Sequence, residues 1–239
     1  MTSRRARVYR LLLSRIARAY ELILIFSIAA LLFGGLTFVA LGAEPTGFDL
    51  AATRWLQIWS NPTLTAAMQA ISFPGYRPYA YVLPLIVAAG MFFWFRFPEA
   101  AWLLGSQAVP LSNALIKAVI HRPRPSPTLV DVYSAIDEHS FPSGHVLQYT
   151  TLFGFAFFLF YVLAPPSRMR TAALVGLALL MVLVAPSRLY LGHHWLSDVL
   201  GGYALALLFL IPYCWAYTRF RLPSARPVAA QASVPALES

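Results

Sequence analysis

All five histidines of the chain, His121, His139, His145, His193 and His194, lie in two short stretches, residues 117–145 and 187–198. Imidazole changes charge near neutral pH, so this clustering points to proton transfer or nucleophilic chemistry. The same stretches hold Lys117, Arg122, Arg124, Arg188 and Asp198. In "KAVIHRPRP", Lys117 precedes Arg124 by seven residues. A lysine point charge beside an arginine fork suits a dianionic phosphate. A lysine snorkelling from a helix end into a basic loop has the same pattern. In "FPSGH", Pro142, Ser143 and Gly144 lead into His145 and a long apolar run. A small, glycine-containing turn that opens a helix offers free N–H groups and the positive end of the dipole to an anion. Ser143 would equally serve as the N-cap of an ordinary helix. In "SRLYLGHHWLSDVLGG", His194 and Asp198 are spaced i,i+4 and share a face if a helix starts there. A carboxylate so placed accepts the Nδ1–H and leaves Nε2 bare as a nucleophile. A helix-surface His–Asp pair has the same spacing. On a helical register Asp198 lies about 40° around the axis from His194 and about 140° from His193, which favours His194.

The elements that must position these residues are membrane spans. The 239-residue chain is 59% hydrophobic and 11% charged. Soluble domains carry about 25% charged residues. The mean hydropathy of +0.65 agrees with an integral membrane protein. The net charge is +9, and the basic residues flank apolar runs. Anionic lipid headgroups are therefore the expected partner, and nucleic acid is not. A spanning helix needs roughly 20 mostly apolar residues. Uncharged runs of this kind cover residues 22–43, 78–95, 100–116, 146–167, 171–187 and 199–218. The expected fold is all-α: a bundle of six transmembrane helices. Residues 55–76 are uncharged but polar and interrupted by Pro62 and Gly75, which predicts interfacial helix in the first outer loop.

Twelve arginines fall on one side of this plan: Arg4, Arg5, Arg7, Arg10, Arg15, Arg18, Arg96, Arg168, Arg170, Arg219, Arg221 and Arg226. That side is expected to be cytoplasmic, together with both termini. All five histidines then face outward. Arg54, Arg77 and Arg122 are further outer cations, suited either to a second phosphate or to anchoring at the interface. The predicted organisation is a basic cytoplasmic segment at 1–20, one membrane domain at 21–220 and a disordered Pro/Ala/Ser-rich tail at 221–239. The first apolar run is too long for a signal peptide, and Leu41 suits a cleavage site poorly, so it is expected to stay as a span. Asn61 is followed by Pro62, so the sequence holds no N-linked acceptor, in keeping with a bacterial plasma membrane. The single cysteine, Cys214, forms no internal disulfide.

The order Lys117-x6-Arg124-Pro125, Pro142-Ser143-Gly144-His145 and Ser187-Arg188-x5-His194-x3-Asp198 resembles the type 2 phosphatidic acid phosphatase superfamily. The motifs span about 80 residues, and no position departs from the pattern. The resemblance implies a membrane lipid phosphate phosphatase. In it His194 would attack phosphorus and form a phosphohistidine, and Asp198 would orient it. His145 would protonate the leaving oxygen and then activate water. Lys117, Arg124, Ser143, the Gly144 amide and Arg188 would hold the phosphate oxygens. Three cations and a helix N-terminus would then stand in for metal ions, so no metal or other cofactor is expected. The outer face offers no spare carboxylate cluster for Mg²⁺, and His193–His194 lacks further ligands for zinc. His121, His139 and His193 receive no role. The leading expected substrate is undecaprenyl pyrophosphate. Phosphatidylglycerol phosphate, phosphatidate and lipid A 1-phosphate are the alternatives. A transporter would need ionisable residues in mid-span, which these runs lack. A non-catalytic lipid binder is disfavoured because every motif position is filled.

Overall fold

The computed structural model describes residues 3–42, 44–95 and 97–221, with side chains from residue 19 onward. Arg96, the N-terminal arginine side chains and, save residue 221, the tail expected to be disordered lie outside the described residues. Among the described residues the protein is all-helical. Its helices are α1 (Ser3–Leu41), α2 (Gly47–Gln57), α3 (Pro62–Ser72), α4 (Tyr79–Trp94), α5 (Phe97–Gly105), α6 (Ala108–Ile120), α7 (Gly144–Leu163), α8 (Arg168–Tyr190) and α9 (Leu196–Arg221). A single 3₁₀ turn, Phe73–Gly75, links α3 towards α4.

Among the described residues five segments are long and apolar enough to cross a bilayer: Ala19–Leu41, α5 with α6 as Phe97–Ile120, α7, α8 and α9. A sixth crossing arises only if α3 with its 3₁₀ turn and α4 count as one span, bent by 74°. The expected second span is a 16-residue helix. At 1.5 Å per residue it reaches about 24 Å, short of a bilayer core. The expected interfacial helix is two helices. Asn61 caps α3 through its side chain, and Pro62 stands at the first turn, so this proline starts a helix rather than breaking one. A capping box between Thr46 and Asp49 opens α2, eight residues before the predicted start.

Helix α7 is the most enclosed span. Val146, Leu147, Tyr149, Leu152, Phe155, Ala156 and Leu159 are all fully buried on it. It packs between α8 and α9, and α1 lies outside against α9. Small residues set the close approaches. A side chain at Gly154 would meet Leu210 at 2.9 Å, and one at Gly201 would meet the Phe141 ring at 2.5 Å. Helix α3 is pinned to the bundle by polar contacts: Tyr149 donates to the Ile71 carbonyl at 2.8 Å, and Ser72 bonds Ser187 at 2.9 Å. Gln57 of α2 donates to the carbonyls of Asp131 and Tyr190.

The C-termini of α6 and α8 and the N-termini of α7 and α9 therefore share one end of the bundle, which is where the three motifs sit. From the arginine asymmetry of the sequence that end is expected to be external. In a Cys214→Ser background, a cysteine at Ala135 should react with a membrane-impermeant thiol reagent added to intact cells, and one at Pro166 should not. The reverse pattern would place the histidines in the cytoplasm.

Candidate active site

The lysine helix ends where His121 takes a left-handed conformation, φ 53°, and donates its N–H to the Lys117 carbonyl. Pro123 and Pro125 prevent the helix from resuming. The chain from Arg122 to Ser143 is then irregular and is held by backbone bonds. Ser140 donates to the Arg122 carbonyl at 2.8 Å, and Ser143 donates to the Asp198 carbonyl at 3.0 Å. Gly202 permits the second contact, since a side chain there would meet the Ser143 carbonyl at 3.0 Å. On the other loop Gly192 has φ +66° and lies against the Asp131 carbonyl, so only glycine fits. Tyr133 donates to the Leu191 carbonyl at 3.0 Å and closes the two loops on each other.

His194 is 1% exposed. Its Nε2 lies 3.2 Å from an Arg124 guanidinium nitrogen, and its Nδ1 faces Ser140 Oγ at 3.4 Å. Asp198 Oδ2 is 3.6 Å from Nδ1, beyond hydrogen-bond length. The direct carboxylate–imidazole bond expected from i,i+4 spacing is thus absent. The reason is local: α9 starts at Leu196, so His194 stands in the preceding loop and the helical register does not reach it. Asp198 instead accepts from the Trp195 amide at 2.8 Å, from Ser140 Oγ and from Arg122 at 2.7 Å. Burial holds His194 well below its ordinary pKa, and Arg124, Arg188 and Lys117 add to the effect, so the ring is neutral at pH 7.

His145, in the first turn of α7, packs against the backbone of Gly75. A side chain on Gly75 would come within 2.8 Å of its Nε2. Its other neighbour is Tyr76, edge-on with ring centroids 4.8 Å apart. Arg188 is fully buried and donates from one nitrogen to Ser72 Oγ at 3.0 Å and to Tyr76 Oη at 2.9 Å. Its Nε and second terminal nitrogen have no partner, and neither does His145 Nε2 or Ser143 Oγ. Ser143 occupies the N-cap position of α7, yet its side chain makes no capping bond, unlike the ordinary capped start of the alternative reading. Leaving a buried polar group unpaired costs about 1–3 kcal/mol. Here such groups come from two of the three motifs.

The remaining cations divide. Arg124 donates to the carbonyls of Glu138 and His193 at 2.6 Å, and burial followed by the repulsion of Arg188 lowers its pKa to about 10. Lys117 and Arg77 both pair with Glu138, at 3.1 and 3.2 Å. Arg54 donates to the Leu129 carbonyl at 3.0 Å. Arg122, expected to be a phosphate contact or a solvated anchor, is neither: it is fully buried between Asp49 and Asp198. His121 and His139 contact each other at 2.9 Å on the exposed side. His193 bonds Tyr76 Oη at 3.2 Å and Ser134 Oγ at 3.1 Å, and burial with Arg188 and Arg124 nearby pushes its pKa down to about 3. Among the described residues no three His, Cys, Asp or Glu side chains cluster as metal ligands. Sequence reasoning missed Tyr76, Ser72, Ser140 and Asp49. Only Ser140, two residues before Pro142, lay close enough to a motif to attract notice.

The family model of the PAP2 superfamily matches residues 99–222. Phosphatidylglycerophosphatase B of Bacillus subtilis (strain 168) is 32% identical over 164 residues, covering 67% of this chain and 78% of that protein. The crystal structure of a transmembrane PAP2 type phosphatidylglycerolphosphate phosphatase from Bacillus subtilis superposes with a TM-score of 0.66 at 27% identity, over 84% of this chain and 100% of the other. The structure of Aquifex aeolicus LpxE shares the fold, with a TM-score of 0.54 at 21% identity over 73% of this chain and 98% of that one. The matched region runs from the start of α5 to the end of α9 and contains all three motifs. The chain is a multi-pass membrane phosphatase that belongs to the PAP2 superfamily.

Proposed function

We propose that this protein hydrolyses a lipid-borne phosphate at the outer surface of a bacterial plasma membrane, through a phosphohistidine on His194. The observation that carries this proposal is a set of buried, unpartnered groups in the motifs, Arg188 Nε and its second terminal nitrogen, Ser143 Oγ and His145 Nε2, with Arg188 and His145 close enough for their charges to act on His194. A phosphate bound there would pair with the arginine and the serine. Lys117, Arg124 and the Gly144 amide would meet its other oxygens.

The reaction has two steps. The Nε2 lone pair of neutral His194 attacks phosphorus, and the bond from phosphorus to the lipid oxygen breaks. His145 gives its proton to that oxygen, and the lipid alcohol leaves. Water then attacks the phosphorus, His145 takes one of its protons, and the P–N bond breaks to release phosphate and restore both imidazoles. The cations stabilise charge on the equatorial oxygens of each transition state. Asp198 acts on His194 through its charge and through Ser140.

The three arginines that suggested a diphosphate are engaged elsewhere: Arg122 with two carboxylates, Arg54 with a carbonyl and Arg77 with Glu138. Both Bacillus relatives are named for phosphatidylglycerol phosphate. A monoester of that kind is therefore the first substrate to test, with undecaprenyl pyrophosphate second and phosphatidate and lipid A 1-phosphate completing the panel. Phosphate release by the purified enzyme from each lipid ranks them, and no release from any overturns the proposal.

Because protein cations supply the charge stabilisation, activity should survive EDTA, and vanadate should inhibit by occupying the site as a five-coordinate mimic. Loss of activity in EDTA with recovery in Mg²⁺ would falsify the metal-free route. Rapid quench with ³²P-labelled lipid should find an acid-labile phosphoenzyme in His193→Ala and none in His194→Ala. A labelled His194→Ala enzyme beside an unlabelled, folded His193→Ala enzyme would exchange their roles. His145→Ala should slow phosphoenzyme formation by about 10²–10⁴ on an alkyl phosphate, and by less on nitrophenyl phosphate, whose leaving group needs no proton. Equal losses on both substrates would make His145 a phosphate ligand rather than the acid.

A further inference from the structure

We infer that Arg122 and Ser140 are positioning residues that aim the Asp198 carboxylate at the Nδ1 side of His194. The inference rests on the phosphohistidine proposal and extends it to side chains outside the three motifs. Each oxygen of Asp198 has its own holder. Oδ1 accepts from Arg122 at 2.7 Å. Oδ2 accepts from Ser140 Oγ and from the Trp195 amide. Asp198 does not bond the imidazole, since Oδ2 is 3.6 Å from Nδ1. Ser140 stands between them, with its Oγ 3.4 Å from Nδ1. One hydroxyl can receive from Nδ1–H and donate to the carboxylate, which joins the two groups through a single oxygen.

Arg122 is fixed from the opposite direction. Its second terminal nitrogen donates to Asp49 Oδ2 at 2.9 Å, and its first also reaches Ser197 Oγ at 2.6 Å. Asp49 Oδ1 accepts the Ser197 N–H at 2.8 Å, so α2 caps the start of α9. The same oxygen accepts Ser197 Oγ–H at 2.7 Å. A helix from the first outer loop thus holds the guanidinium, the guanidinium holds the carboxylate, and the carboxylate faces the nucleophile. Arg122, Asp49, Ser140, Asp198 and His194 are all at most 1% exposed, so water does not screen these contacts. The charges facing Asp198 are Arg122 from the loop after α6 and His194 from the loop before α9. Asp49 of α2 lies behind Arg122, and Arg124 and Lys117 lie on the phosphate side.

The test measures the rate of phosphoenzyme formation from ³²P-labelled phosphatidylglycerol phosphate as a function of pH. Wild type, Ser140→Ala, Arg122→Lys and Arg122→Gln are compared, with melting temperatures in detergent. Misplacing a reacting group by about 1 Å costs on the order of 10²-fold, and Ser140→Ala should lose up to that much with little change in melting temperature. Arg122→Gln should also move the acid limb of the profile to higher pH, because Asp198 then faces the imidazole without its cation. Arg122→Lys should restore the acid limb but only part of the rate, since an ammonium cannot bridge two carboxylates as a fork does. Ser140→Ala and Arg122→Gln enzymes that fold, label at the wild-type rate and keep the acid limb in place would overturn the inference. If Arg122→Gln does not fold, Ser140→Ala decides alone. A wild type that turns over without acid-labile label would overturn the phosphohistidine proposal, and this inference with it. A labelled wild type beside equally labelled variants overturns the inference only.

Discussion

Positive charge gathered where water cannot reach it is the constraint on which the rest of this molecule turns. Arg188 is fully buried, and Arg124 and Lys117 are close enough for their fields to reach His194 and His145. Such a cluster is self-repelling, and desolvation makes each charge more costly. Arg124 yields visibly, its pKa falling to about 10, and His193 is held neutral with a pKa of about 3. Glu138 offsets part of the repulsion from the loop side by pairing with Lys117 and Arg77. Among the described residues no carboxylate reaches the unpartnered nitrogens of Arg188. An incoming phosphate dianion would relieve the strain at several groups together, so the cost of building the cluster becomes selectivity for its ligand.

The fold holds that cluster together by bringing backbones close. Three connections must converge at one end of a helical bundle, and each does so through a residue that makes room. Gly192 turns with positive φ against Asp131, Gly202 admits the Ser143 carbonyl, and Gly75 accepts the face of His145. Polar side chains then lock α2 and α3 onto the bundle, through Gln57, Ser72 and the Tyr190 hydroxyl, which meets Thr65 at 2.8 Å. The interfacial helices are in this way part of the site, since Tyr76 and Ser72 carry Arg188, and Asp49 carries Arg122.

Much of this was legible in the sequence because the relevant signals are local. Hydropathy over long windows located five of the six expected spans, since a bilayer imposes both length and apolarity. The three motifs stood out because charged and titratable residues are rare in this chain, and those present crowd into two loops. Pro62 misled because proline reads as a break, whereas after Asn61 it begins a helix. The contact between His194 and Asp198 was read from helical periodicity across a helix start that falls between them. Ser72, Tyr76 and Asp49 could not be found, because their meaning lies in contacts more than 100 residues away along the chain, such as Ser72 with Arg188 and Asp49 with Ser197. No periodicity encodes such a pairing. Arg122 illustrates the same limit: its spacing placed it among surface cations, and only the packing of α2 and α9 around it makes it a buried counter-ion.

His194 stands between two walls of opposite sign. Its Nε2 faces Arg124, with Arg188 and Lys117 beyond, and its Nδ1 faces Ser140 and Asp198. On the acidic side two carboxylates, Asp49 and Asp198, share one guanidinium, Arg122, and a net charge of one minus remains. Free imidazole between these walls stays neutral, because burial and the nearer cations disfavour its protonation. In the proposed reaction the ring gains positive charge as the P–N bond forms, while the phosphate brings negative charge to the cationic wall. Each wall then faces a partner of opposite sign. The uncompensated carboxylate charge is of little use to the resting ring and stabilises the phosphorylated one, which is the differential effect that catalysis requires. A direct hydrogen bond from Nδ1–H to Asp198 would act on both states. The charge of Asp198, held 3.6 Å from Nδ1 in a site that water does not screen, grows in worth as the ring becomes cationic.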